Sequence, residues 1–195
     1  MPRTPEAAAA VRDATKQRIR RAAVLQMAEQ GYRATTLRQV AARAGVADGL
    51  PSRYFGNKAG LLLDVADRWR ERTRDALAEL ADAEPADRLR ALVRSALLGL
   101  DVSPEEIDEG RAVAALLADP AAREVLREAG ADDDSADLLK ELSDSLVASG
   151  STDPEGDRLL LMAGIRGGLV LAAEDPSFPL RGLEDVLLSR VLGGR

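Results

Sequence analysis

The sequence predicts an all-α chain, with a short basic N-terminal unit followed by a longer, acidic helical bundle. Three observations predict it. Apolar residues recur at three- and four-residue steps along almost all of the 195 residues, with no alternating strand pattern and no Asn-Gly hairpin turn. Proline repeatedly follows a residue able to cap a helix, at Glu84-Pro85, Ser103-Pro104, Asp119-Pro120 and Asp153-Pro154. There its missing N–H is harmless, because first-turn amides are unpaired in any helix. The charge is also divided. Up to Gly60 there are eleven Lys or Arg against four Asp or Glu, and beyond it sixteen against twenty-nine.

The elements follow in order. Ile19, Ala22, Ala23, Met27 and Gln30 step along one face of a first helix expected over Val11 to Gln30, which Gly31 closes. Thr35-Thr36 opens a short second helix whose buried stripe is Leu37, Val40, Ala41 and Ala44. A third occupies about 47–54. A long fourth runs from Asn57 or Lys58 to Ala81, with Leu62, Val65, Trp69, Thr73, Ala76 and Leu80 on one side. The proline signals set helices near 86–100, 104–118, 120–129, 135–149 and 154–174, and a last lies near 182–192. Ser103 with Glu106 reads as a capping box. Asp132-Asp133-Asp134 and "SGSTDPEG" read as solvated linkers, the acidic run being a loop and not a metal site.

Composition excludes several classes. The chain has no Cys and no His, which removes disulfides, Cys/His zinc sites, Ser-His-Asp triads and Cys nucleophiles. Aromatics make up only 3%, so the core must be built from Leu, Val and Ala. The longest apolar run, Leu159 to Ala173, is too short and carries Arg166 in its middle, so no membrane span is expected. The apolar run at the N-terminus is too short for a signal-peptide core, and a cytoplasmic location is expected.

Ala41, Gly45 and Val46 have the spacing of a helix-turn-helix over 36–55. The small Ala lets two helices cross, the Gly permits the tight turn and the Val plugs the gap. A basic unit of this kind on an acidic body suggests a polyanionic partner for the head alone, though a solvated basic helix would give the same charge.

The stretch "RIRRAAVLQMAEQGYRATTLRQVAARAGVADGLPSRYFGNKAGLLLDV" resembles the N-terminal DNA-binding domain of TetR-type transcriptional regulators. The carriers are Gly31-Tyr32, Thr35-Thr36, Val40-Ala41-x-x-Ala44-Gly45-Val46 and Tyr54-Phe55-Gly56-x-Lys58. The likeness is dense from Lys16 to Asp67, and "IRGGLVLAAEDPSFPLRGLEDVLLSRVL" looks like the last two helices of many members. It implies a helix-turn-helix domain over 12–60 and an effector-binding and dimerisation domain over 61–195. It also implies a repressor that binds a palindromic DNA operator as a homodimer and responds to a small-molecule effector, with no cofactor and no enzymatic activity.

Residue by residue, the resemblance implies that the third helix enters the major groove with Asp48, Gly49, Leu50, Ser52, Arg53 and Tyr54. Thr36 would hold a phosphate at the cap of the second helix, and Arg38 would read a base, since Arg binds guanine O6/N7 bidentately. Lys58 would pair with a phosphate, whereas Phe55 belongs to the core. The sequence departs from the family at Ala47 and Leu50, where a hydroxyl is usual, at Pro51, where Leu is, and at Ser52, where an aromatic is. Pro51 is explained if Asp48 caps the third helix, because proline then falls in the first turn.

In the body, Gly164, Gly167 and Gly168 permit close helix approach, and with Val186, Leu187 and Arg190 they form the expected dimer interface. Monomer core is the alternative. Trp69, Met162 and Arg166 are candidate effector contacts, with core packing for the first two and a structural ion pair for Arg166 as the competing readings. A helical ligand-binding or interaction protein that has lost operator binding is the alternative function, and a carboxylate-based enzyme a remoter one. The effector, the operator and the regulated genes are not legible.

Overall fold

The computed structural model describes residues 4–98, 104–130, 134–175 and 177–193. Among these, ten helices and no strand are present: α1 Pro5–Gln30, α2 Leu37–Ala44, α3 Leu50–Phe55, α4 Lys58–Glu79, α5 Pro85–Leu98, α6 Pro104–Ala118, α7 Pro120–Glu128, α8 Asp134–Ala148, α9 Pro154–Glu174 and α10 Leu180–Leu192. The chain is all-α, as its periodicity requires.

Capping explains most of the starts. Asp119 Oδ1 accepts from Ala121 and Ala122 N–H at 2.7 and 3.1 Å, and Asp153 Oδ1 from Gly156 N–H at 3.0 Å. The same device operates at α1, which begins before the expected Val11: Thr4 Oγ1 accepts from Ala7 N–H, and Pro5 is the first helical residue. The proposed cap at Ser103 lies outside the described residues.

The turn between α2 and α3 is as tight as the spacing requires. Gly45 sits at φ +63°, in the left-handed region where any side chain would be strained. Its N–H donates to Ala42 O, and Val46 N–H to Ala41 O. Val46 is then half-buried against the core, and Ala41 is fully buried.

The start of α3 corrects one expectation. Gly49, not Asp48, is the cap, and no side chain caps this helix. Pro51 is buried at the second helical position. It has no N–H to give Ala47 O, so Leu50 N–H donates to that carbonyl at 2.9 Å and closes a tighter turn ahead of the helix. Proline still sits where its missing donor is an orphan, as the argument from the first turn demanded.

Two apolar cores result. One holds Ile19, Ala23, Val24 and Met27 of α1, Val40 of α2 and Leu61, Leu62 and Val65 of α4, together with Val113 and Leu116 of α6 and Ala122 and Leu126 of α7. The other packs α5, α8, α9 and α10 around Leu89, Leu97, Leu146 and Leu161. The first core therefore belongs to head and body at once.

Polar links reinforce the junction. Arg20 of α1 forms a two-point ion pair with Asp64 of α4. Asp119, while capping α7 with one oxygen, accepts Tyr32 N–H with the other at 3.1 Å, which ties the end of α1 to the body. Within the body itself, the buried Glu184 of α10 accepts from Arg94 Nε of α5 at 2.9 Å.

Asp119→Ala should therefore lose about 2 kcal/mol in urea unfolding, roughly half from the α7 cap and half from the Tyr32 bond. Asp119→Asn keeps a capping oxygen but presents an amide to Tyr32 N–H, and should lose only about 1 kcal/mol. Equal losses would mean that the Tyr32 bond carries the whole effect.

Candidate nucleic-acid interface and ligand cavity

The helix-turn-helix presents its exposed residues from α2 and from the entry to α3. Thr36 caps α2 through a reciprocal box: its hydroxyl accepts from Gln39 N–H at 3.3 Å, and Gln39 Oε1 accepts from Thr36 N–H at 2.8 Å. The hydroxyl proton also goes to Gln39 Oε1. Thr36 is exposed, but its hydrogen bonds are local ones.

Arg38 stands two residues on, in the first turn of α2, with its side chain 87% exposed. Its nearest opposite charge is Asp48, 73% exposed, with Nε and Oδ2 4.0 Å apart. That pair joins the first turn of α2 to the entry of α3, and at such distance and exposure it adds little stability. Gly49, Ser52 and Arg53 are exposed beside it.

Other positions in the expected set look inward. Leu50 and Tyr54 are half-buried and pack against the first core, as does Phe55. Lys16 lies 5.9 Å from the centre of the Tyr54 ring and Arg20 5.7 Å from that of Phe55. Arg43 reaches back from α2 to α1, where it pairs with Glu29 at 2.5 and 2.7 Å and holds that carboxyl below the usual carboxylate range.

Lys58 departs most from expectation. Its ammonium donates to three backbone carbonyls, Tyr32 O at 2.8 Å, Thr35 O at 2.9 Å and Arg33 O at 3.1 Å. It also lies 4.5 Å from the centre of the Tyr32 ring, and burial lowers its pKa from the ordinary lysine value. All three ammonium protons are used, so in this arrangement none is left for a phosphate. Lys58 instead fixes the loop that delivers α2.

In the body, Trp69, Met162 and Arg166 come together, although they stand far apart in the sequence. They line one cavity of about 260 Å³ between α4, α5, α8 and α9, with Leu92, Leu142 and Ile165 among its apolar walls. Thr73 and Ser95 also line it, but their hydroxyls donate to Trp69 O and Leu92 O one turn back.

The glycines of α9 divide. A Cβ at Gly164 would stand 2.6 Å from Leu187 Cδ2, and one at Gly168 would stand 2.2 Å from Leu183 Cδ2. Gly164, Gly168 and the buried Leu187 thus serve the α9–α10 contact within one chain, which corrects their assignment to a dimer interface. Gly167, Val186 and Arg190 remain exposed, Val186 at 63%. Leu159, Leu160, Val170 and Leu171 are exposed on α9 as well.

Sequence reasoning missed the Asp119–Tyr32 bond, the Arg20 clamp and the Gln39 half of the capping box. Only the last had a local signal, Thr and Gln three residues apart. No cluster of potential metal ligands occurs among the described residues, and no described helix is long and apolar enough to cross a membrane.

Comparison with known proteins bears on this arrangement. Residues 19–65 match the family model for bacterial regulatory proteins of the tetR family, so the head is a TetR-type domain. The HTH-type transcriptional regulator BetI of Paraburkholderia phymatum is 42% identical over 77 residues, which cover 37% of this chain and 38% of that protein. The match thus spans well under half of that relative. A crystal structure of a transcriptional regulator from Rhodococcus sp. Rha1 is 25% identical and superimposes with a TM-score of 0.65, covering 92% of this chain and 96% of that one. A putative transcriptional regulator from Saccharomonospora viridis, solved with choline, is 18% identical, has a TM-score of 0.68 and covers 93% and 97%. That last likeness speaks to the fold alone.

Replacing Lys58 by Met should cost about 1 kcal/mol in urea unfolding, since the partly buried carbonyls of Tyr32 and Thr35 would lose their donor. Unchanged stability would mean that water satisfies those carbonyls equally well.

Proposed function

We propose that this chain, whose head is a TetR-type domain, is a cytoplasmic DNA-binding transcriptional regulator acting as a repressor, and not an enzyme. The observation that carries the reading is the match of residues 19–65 to the tetR family model, joined to an exposed Arg38 on the surface where α2 meets α3. In this reading Arg38 contacts a base edge. Thr36, Gly49, Ser52 and Arg53 follow the backbone and groove edge, and Asp48 faces the duplex as a negative charge. Leu50 and Tyr54 support α3 from behind as much as they face DNA. We assign the DNA-binding domain to 12–60 and the effector and dimerisation domain to 61–195.

The operator would be two inverted half-sites about one helical turn apart, or a multiple of that, to match a two-fold dimer. The exposed Leu159, Leu160, Val170 and Leu171 of α9 and Val186 of α10 support the dimer, because large apolar side chains left open on these two helices suit contact with another chain. Gly167, Val186 and Arg190 would lie on it. The cavity beside Trp69, Met162 and Arg166 is the effector site in this reading. An effector acts only by binding the DNA-competent and incompetent states unequally.

Binding to the promoter region of its own gene, measured against salt, tests the reading. Sequence-preferring affinity that falls steeply with salt is expected. Equal affinity for all DNA, or none, would favour a ligand-binding protein that has lost its operator, a reading to which Pro51 and the shortened Ser52 lend some weight. Arg38→Ala should relax preference at one base pair by about 1–3 kcal/mol. Val186→Glu should convert dimer to monomer in sedimentation, and an unaltered dimer would remove α10 from the interface.

A further inference from the structure

We infer that the cavity between α4, α5, α8 and α9 takes a small organic anion, an apolar body carrying one carboxylate or phosphate head, with Arg166 as its counter-ion. The inference rests on the regulator reading and names the class of ligand at its effector site.

Charge decides the class. Arg166 is the one ionisable side chain among the described residues that line this cavity; the others are apolar apart from Thr73 and Ser95. Both hydroxyls already donate to carbonyls of their own helices, so a neutral polar ligand finds lone pairs there but few free protons. Arg166 has no hydrogen-bond or ion-pair partner among the described residues, and it is exposed. It follows Ile165 and stands one turn from Met162, both of which line the cavity. A guanidinium in that position presents two parallel N–H groups, the geometry that a carboxylate or phosphate accepts.

The rest of the wall decides the body. Leu92, Val93, Leu142, Met162 and Ile165 offer dispersion contacts alone, and the Trp69 ring face attracts a cation, against the repulsion of Arg166. A cation would therefore meet Arg166 with no described carboxylate to offset it. Size follows from volume. At about 260 Å³ the cavity lies just below the span of drug-sized sites, roughly 300–1,000 Å³, so a short chain of about eight carbons with its head at the arginine is a probe of matching scale.

The chain holds its own reporter, since Trp69 is the single tryptophan and lines the cavity. Trp69 fluorescence of the full chain would be titrated with octanoate, octyl phosphate, octanol and octyltrimethylammonium, all below their aggregation limits. Octanoate or octyl phosphate should bind roughly tenfold tighter than octanol, and the cation weakest. Which anion binds tighter names the head group.

Arg166→Gln should abolish the preference while leaving octanol binding and the melting temperature unchanged. Equal binding of anion and alcohol, or tighter binding of the cation, would overturn the inference. So would an Arg166→Gln variant that keeps the preference or changes only the oligomeric state. Promoter binding, measured on the same preparation, separates the two readings. DNA binding without anion preference removes the ligand class alone, and anion preference without DNA binding removes the regulator reading alone.

Discussion

One ammonium group holds the helix-turn-helix in place. Lys58, at the start of α4, gathers the carbonyls of Tyr32, Arg33 and Thr35. That loop carries the chain from α1 into the cap of α2, so the direction of α2, and of α3 beyond it, depends on where the loop is fixed. A single hydrogen bond would leave it free to pivot. Three, with the Tyr32 ring beside the charge, leave it no such freedom. A half-buried cation so fully satisfied also avoids the desolvation cost that an unpaired one would carry.

The same tyrosine connects head to body. Its N–H goes to Asp119, whose other oxygen starts α7, and its carbonyl goes to Lys58. A displacement of α7 is thus felt at the loop that aims α2. The apolar packing tells the same story, since Val113, Leu116, Ala122 and Leu126 of the body share a core with Ile19, Met27 and Leu62. Interiors packed at this density transmit displacement instead of absorbing it.

What the sequence made legible was local. Periodicity and the caps before proline located the helices, because each signal lies within a turn of the element it starts. The α1 start was missed because its first residues after Pro5 are Glu and four Ala, which give no apolar stripe to read. The α3 cap was misplaced by one residue, because the turn ahead of it can close on Leu50 N–H as well as on a side chain. Contacts across the chain were illegible. Nothing local says that a lysine stem folds inward, that Asp119 reaches Tyr32, or that Gly164 makes room for Leu187 of its own chain and not of another. The gathering of Trp69, Met162 and Arg166 at one cavity followed from helical register, which carried side chains on α4 and α9 to facing sides.

On the proposed regulator reading, the acidic neighbour of Arg38 would have a consequence for motion along a genome. A protein seeking one address among millions must let go of the others quickly. In the proposed regulator Asp48 would oppose the phosphates of any duplex equally, and so would shorten every chance encounter. A cognate base engaging Arg38 through two hydrogen bonds would outweigh that repulsion, and a wrong one would not. A carboxylate that weakened the grip everywhere would thus sharpen the contrast between the right address and the rest.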